Sequence, residues 1–184
     1  ILAAAAAPSI QEALAATKVD AAARRLAADI RYAQERSRAV KWADTANLGA
    51  DALWGFGLDL DPTNDRYRVY DDNYYGDANG GTLADPYTKA LPGAGPWSSG
   101  YIMDYATHPQ LRGVDLVSVQ EEGFTPQPFP ENRLLFDSLG RPRAHSGGHT
   151  NHRLVMIKAW IVLSYQSQTR TVGVDSDTGR VWME

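Results

Sequence analysis

Between Ser9 and about Val40 the chain holds no glycine and no proline, and its apolar or small positions recur at three- and four-residue steps. Ile10, Leu14, Thr17 and Ala21 lead into Ala22, Leu26, Ile30, Ala33, Ser37 and Val40. That spacing predicts one α-helix with an apolar stripe, and the abundance of alanine favours it further. Arg24, Arg25, Asp29, Arg31, Glu35, Arg36 and Arg38 fall mostly off the stripe, which predicts a solvated face. Pro8 is expected either to start this helix or to kink a longer one. At 1.5 Å per residue the helix would reach ~48 Å, more than a compact domain of this size needs. The small residues between Ala3 and Ala23 suit close helix–helix contact better than a core of bulky side chains. The N-terminal half is therefore expected to project, and the C-terminal half to pack on a sheet.

Beyond Lys41 the period changes to that of strands and turns. Leu53 to Leu60 and Arg66 to Tyr70 read as two strands joined by Asp61-Pro62-Thr63-Asn64-Asp65. Residues 71–100 hold many Gly, Pro, Asp and Asn and predict a long irregular loop. Val114 to Val119 and Arg133 to Asp137 are further strand candidates. Leu154 to Tyr165 gives the strongest strand signal, with Val155, Ile157, Ala159, Ile161, Leu163 and Tyr165 on one face. Thr169 to Val174, the turn Asp175 to Gly179 and Arg180 to Met183 then close an antiparallel meander. The fold class is α+β: residues 1–40 as the helix and 41–184 as a β-rich head.

Composition narrows the chemistry. Of the 184 residues 43% are hydrophobic, enough for one well-packed domain. The absence of cysteine excludes disulfides, thiolate nucleophiles and Cys-ligated zinc. A net charge of −4 weighs against nucleic acid as a partner. The run Ile1 to Ala7 is too short to span a bilayer, and a start inside an apolar run leads us to expect an apolar segment ahead of it.

Three stretches carry a resemblance to a known family. Ile1 to Ile10 (ILAAAAAPSI) resembles the end of the hydrophobic N-terminal segment of type IV pilins and pseudopilins, which runs through small residues into a proline. Ala21 to Ala39 (AAARRLAADIRYAQERSRA) is similar to the helix of minor pseudopilins of the H/FimT class. Leu134 to Arg141 (LLFDSLGR) resembles that class's Phe-x-x-x-Gly-Arg motif, and Thr178-Gly179-Arg180 completes the pattern. The resemblance implies a pilin-like fold, a long N-terminal helix packed on an antiparallel sheet. It further implies an inner-membrane anchor ahead of Ile1 and a place in a type II secretion pseudopilus or type IV pilus. Periplasm or cell surface would be its compartment. Other pilins would be the partners, secreted cargo a further one, and Ile1, Leu2, Pro8, Ile10 and Leu14 the assembly face.

Three further clusters of polar side chains each have a simpler account. Asp71, Asp72, Asn73, Asp77 and Asn79 offer oxygen ligands of the kind calcium takes, without an EF-hand spacing; a polar surface loop is the simpler account. His145, His149 and His152 hold metal-ligating side chains, but Gly147-Gly148 speaks for a solvated hairpin loop. Some pilins of the FimT kind bind DNA through Gly-Arg-x-Arg, which gives Arg141 and Arg143 an alternative role as phosphate clamps in an exposed turn. The simpler account is a turn with solvated arginines. Neither Ser146-Gly147-Gly148-His149 nor Asp104 to His108 has the surroundings of a catalytic site. An enzyme is therefore not expected, nor a cofactor other than calcium.

Overall fold

The computed structural model describes residues 2–39, 56–71, 81–82, 101–122, 132–137, 139–145, 152–154 and 157–184. Helix α1 spans Leu2–Ala39, about 57 Å at the α-helical rise. It runs through Pro8, so the proline does not start it. Among the described residues eleven strands follow: β1 (Phe56–Asp61), β2 (Arg66–Asp71), β3 (Gly81–Thr82), β4 (Ile102–Asp104), β5 (Asp115–Glu122), β6 (Arg133–Phe136), β7 (Pro142–His145), β8 (His152–Leu154), β9 (Lys158–Tyr165), β10 (Gln168–Asp175) and β11 (Val181–Met183). They form two sheets among the described residues. One has the order β3-β2-β1-β6-β7-β8, with β4 also on β2; the other has the order β11-β10-β9-β5. Every pairing is antiparallel.

The helix packs on β9, β10 and β11 of the four-stranded sheet and reaches β1, β2 and β6 of the other. Val19, Ala22, Ala23, Leu26, Ala27, Ile30 and Ala33 are buried there together with Leu58, Val69, Leu134, Ile161, Leu163 and Val172. Each large aliphatic side chain so buried is worth ~1.5–3 kcal/mol. Alanines alternate with Leu26 and Ile30 along this stripe and let the helix approach the sheets closely. Ser37, placed on the stripe by its spacing, is buried and accepts the Phe56 amide at 3.0 Å.

Two expectations change here. The run Leu154 to Tyr165 is not one strand. Leu154 pairs with Arg143 in the larger sheet, whereas Lys158 begins β9 in the smaller one. Ile157 lies between them, 55% exposed, its amide bonded to the Glu122 carbonyl at 3.2 Å. A period of two persists across a change of sheet, so alternation alone does not reveal the break. The second change concerns Asp29, assigned to the solvated face and found fully buried. Within the expected loop 71–100, Asp71 ends β2 and Gly81–Thr82 form β3 against it.

Charge is also buried in the β1–β2 hairpin. Its register sets Asp59 opposite Arg68, and the guanidinium donates Nε at 2.9 Å and Nη2 at 2.7 Å to Asp59 Oδ2. Arg68 has no solvent exposure; only a charge-matched, hydrogen-bonded partner makes such burial tolerable.

Candidate functional site

Along α1 the burial changes abruptly near Ala15. Ile10 is 58% exposed and Leu14 65%, yet from Val19 to Ala33 the stripe is buried throughout. Ile10 and Leu14 stand one turn apart on one face, away from the buried stripe that begins at Ala15, so two large apolar side chains are left exposed side by side. Beside it lies a cleft of about 590 Å³ between α1 and the head, lined by Gln11, Leu14, Lys18, Leu111 and Tyr165 among others. The Lys18 ammonium sits 4.0 Å from the centre of the Tyr165 ring, which is within cation–π range. Of the other residues on the expected assembly face, Leu2 and Pro8 are described as helix backbone, and Ile1 lies outside the described residues. Among the described residues, no helix is long and apolar enough to cross a membrane.

Where α1 enters the head, a polar knot fixes it. The Asp29 carboxylate accepts the Tyr67 hydroxyl at 2.6 Å on Oδ2 and the Tyr101 hydroxyl on Oδ1. Arg25, one turn earlier, reaches Asp29 Oδ2 at 3.3 Å and the Tyr101 hydroxyl oxygen at 3.0 Å. Burial pushes the Asp29 carboxyl above its ordinary range and outweighs the tyrosine hydrogen bonds and Arg25 that favour its charged form. The same burial, with Asp29 nearby, raises Tyr67 and Tyr105. The knot ties the helix to β2 and to the segment that opens β4.

A second tie is made by Gln34, whose amide Nε2 donates to the Gly140 carbonyl at 2.9 Å and to the Gly179 carbonyl at 2.7 Å. These are the glycines of the two Gly-Arg pairs singled out in the sequence. Both have positive φ, +77° and +65°, a conformation that favours glycine. A Cβ on Gly140 would come within 2.4 Å of the Arg38 guanidinium, and one on Gly179 within 2.7 Å of the Gly140 carbonyl oxygen. The Gly-Arg pairs thus mark two turns pressed against each other and against one helical glutamine.

The expected exposed clamp of Arg141 and Arg143 takes a different form. Both guanidiniums converge on Asp137: Arg141 Nη2 at 2.8 Å and Arg143 Nη2 at 3.4 Å from Oδ2. Arg141 keeps 37% of its side chain exposed and Arg143 only 11%. Asp137 also accepts the Leu139 and Arg141 amides on Oδ1, at 3.0 and 2.9 Å. Burial alone would raise this carboxyl, but those bonds and the Arg141 charge hold it below the ordinary range. The arginines therefore serve the turn first, and Arg143 has little surface left for a phosphate.

The Asp104 to His108 candidate resolves into turn capping. Asp104 Oδ1 accepts the Ala106 and Thr107 amides, and His108 Nδ1 accepts those of Gln110 and Leu111. His145 and His152 face each other in the β7–β8 register; His149 and Ser146 to Gly148 lie outside the described residues, as do Asp72, Asn73, Asp77 and Asn79. Asp71 is described as the backbone end of β2. Among the described residues, no group of three or more His, Cys, Asp or Glu side chains is placed to hold a metal ion.

Sequence reasoning missed the Asp29 knot and the Gln34 tie. An acidic residue on the flank of the stripe, three residues beyond Leu26 and one before Ile30, was the only trace of the knot; its tyrosine partners come from 38 and 72 residues away. The Asp59–Arg68 pair had a readable signal, since opposite charges interrupt two apolar strands at matching distances from one turn. Comparison with known proteins adds no relative: no family model matches the chain, nor does any curated protein or solved structure.

Proposed function

We propose that this chain is a filament subunit of the pilin kind, whose N-terminal helix packs against the same helix in neighbouring copies while the β-rich head remains outside. The observation that carries this reading is the exposure of Ile10 and Leu14, side by side on the face of α1 that the head leaves uncovered. Large apolar side chains left together in solvent on a helix make a surface for a partner. The pattern of one long helix followed by antiparallel sheets, with Gly140 and Gly179 in paired turns, supports the reading further. A type II secretion pseudopilus or a type IV pilus is the assembly proposed, with the inner membrane, periplasm or cell surface as its place.

The DNA-capturing alternative loses support from the engagement of Arg141 and Arg143 by Asp137. The test of the subunit reading uses the absence of native cysteine. A Leu14→Cys protein under mild oxidation is expected to form disulfide dimers, because like positions meet where like helices pack. A Thr63→Cys protein, with its thiol on the exposed β1–β2 turn, is the control. Dimers no faster from Leu14→Cys than from Thr63→Cys would overturn the reading.

A further inference from the structure

The outer face of the four-stranded sheet, turned away from α1, can be read row by row from its register. One row runs Glu122, Lys158, Asp175, and the next Gln120, Trp160, Gly173, Trp182. Ser118, Val162 and Thr171 follow, with Glu184 hydrogen-bonded to Thr171 through the backbone. The Trp182 indole lies across Gly173, where a Cβ would come within 2.1 Å of the ring. Its Nε1 donates to Asp175 Oδ1 at 2.9 Å, which fixes the ring in place. Lys158 reaches Glu122 at 2.9 Å and stands 5.6 and 5.8 Å from the centres of the Trp160 and Trp182 rings. Hydrogen bonding to Glu122 raises the Lys158 ammonium above its ordinary range, and the charges of Glu122, Glu184 and Asp175 add to this. The patch is thus aromatic, with Glu122, Asp175 and Glu184 set against Lys158 and, at the end of the first row, the exposed Arg180, and it already holds a cation beside its indoles.

The opposite side of the molecule carries the complement. Arg24, Arg31 and Arg38 are all exposed and seven residues apart on α1, so they form a ridge with about 10.5 Å between neighbours. Glu35 is the ridge's own exposed carboxylate, whereas Arg36 lies on another face of the helix, 5.4 Å from the centre of the Phe56 ring. Arg24 shares Asp20 at 2.8 Å, and Arg38 donates Nε to the Leu139 carbonyl; Arg31 is exposed between them.

We infer that a second copy of this chain lays the arginine ridge of its helix on the Trp160–Trp182 face of the first. Guanidinium planes stack on indoles and pair with carboxylates more readily than ammonium groups do. The charge complementarity is between two faces of one sequence, which is why the occupant is a second copy. Because the faces lie on opposite sides of the helix–sheet pair, the contact is heterologous and leaves both a ridge and a patch free for the next copy. The inference rests on the subunit reading for its occupant but uses a surface separate from Ile10 and Leu14.

Two single-cysteine proteins test it, Glu35→Cys on the ridge and Thr171→Cys on the patch. Cross-linking needs the two Cα atoms within about 7 Å. The mixed disulfide is expected about tenfold faster than either homodimer at low salt, and slower as salt screens the charges. Adding Arg31→Glu to the ridge protein should slow it about tenfold, and Glu122→Lys on the patch protein should restore it. A mixed disulfide no faster than the homodimers, or one indifferent to Arg31→Glu, overturns the inference. The Leu14→Cys result separates the two readings, since either cross-link can form without the other.

Discussion

Ile10 and Leu14 stand in solvent on the face of α1 that continues through the exposed Thr17, Ala21 and Arg24, whereas Ala15 and then Val19 to Ala33, on the opposite face, lie against two sheets. Both stretches are alanine-rich and follow the same period. Helix face separates them: the buried positions have β-strands and polar ties to meet, and Ile10 and Leu14 lie on the side that farther along carries Arg24 and Arg31. Amphipathic pattern therefore reports that a helix face will be covered. It does not report whether the cover comes from the same chain.

Truncations measure the contrast most strongly. Leu26→Ala and Ile30→Ala should each cost about 2–5 kcal/mol of folding stability, as expected for large-to-small changes in a packed core. Ile10→Ala and Leu14→Ala should stay within about 0.5 kcal/mol at a concentration where the chain is monomeric. Urea unfolding of the four variants checks this. Equal losses in both pairs would erase the comparison.

The polar ties come next. Asp29→Ala leaves the Tyr67 and Tyr101 hydroxyls without their buried acceptor and should cost about 1–3 kcal/mol. Gln34→Ala frees two carbonyls, those of Gly140 and Gly179, and should cost about 1–3 kcal/mol. Thermal unfolding of each against the parent chain provides the measurement. An unchanged midpoint in either would remove that tie from the account.

Acidity then distinguishes two buried carboxylates. The Asp29 carboxyl is raised from 3.8, so the folded chain holds its proton at pH values where the unfolded chain has lost it. Its contribution to stability is fully present below 3.8 and is lost as pH rises through the folded value. Relative to an Asp29→Asn variant, the parent chain should gain stability as pH falls toward 4. Asp137 is lowered from the same 3.8. Its contribution is present above that value and is lost as pH falls through the lower folded one. Parallel slopes for Asp29→Asn and Asp137→Asn would contradict this assignment. The smallest effect belongs to the surface. Asp20 is held low chiefly by its hydrogen bond from Arg170, with Arg24 adding to it, yet these pairs are exposed, and Asp20→Asn should change stability by about 0–1 kcal/mol.

Much of the fold could be read from periodicity. The helix, the β1–β2 hairpin and the closing meander lie close to where their patterns put them, because each is set by local alternation and by turn residues such as Asp61 to Asp65. The two-sheet arrangement could not be read in this way, since residues on either side of Ile157 keep one alternation while changing partners. Asp29 was misplaced because its burial depends on tyrosines from distant segments. Gln34 was silent because its partners are backbone carbonyls. Arg141 and Arg143 drew notice as a charge motif, but the acceptor that engages them, Asp137, lies in the same turn and could have been weighed with them. The stripe expected to run from Ile10 and Leu14 through Thr17 and Ala21 into Leu26 and Ile30 is two faces instead: Thr17 and Ala21 are exposed with Ile10 and Leu14, and Ala15 and Val19 begin the buried face.

Hydrogen exchange of the α1 amides, followed residue by residue as the protein concentration is raised, tests the account most directly. Amides from Val19 to Ser37 should be protected at every concentration, since the head itself covers them. Those around Ile10 to Thr17 should exchange fast in the dilute chain and become protected as copies associate. Protection that is already high around Ile10 to Thr17 in the dilute monomer, or that never rises with concentration, would contradict the claim that this part of the helix is completed by another copy.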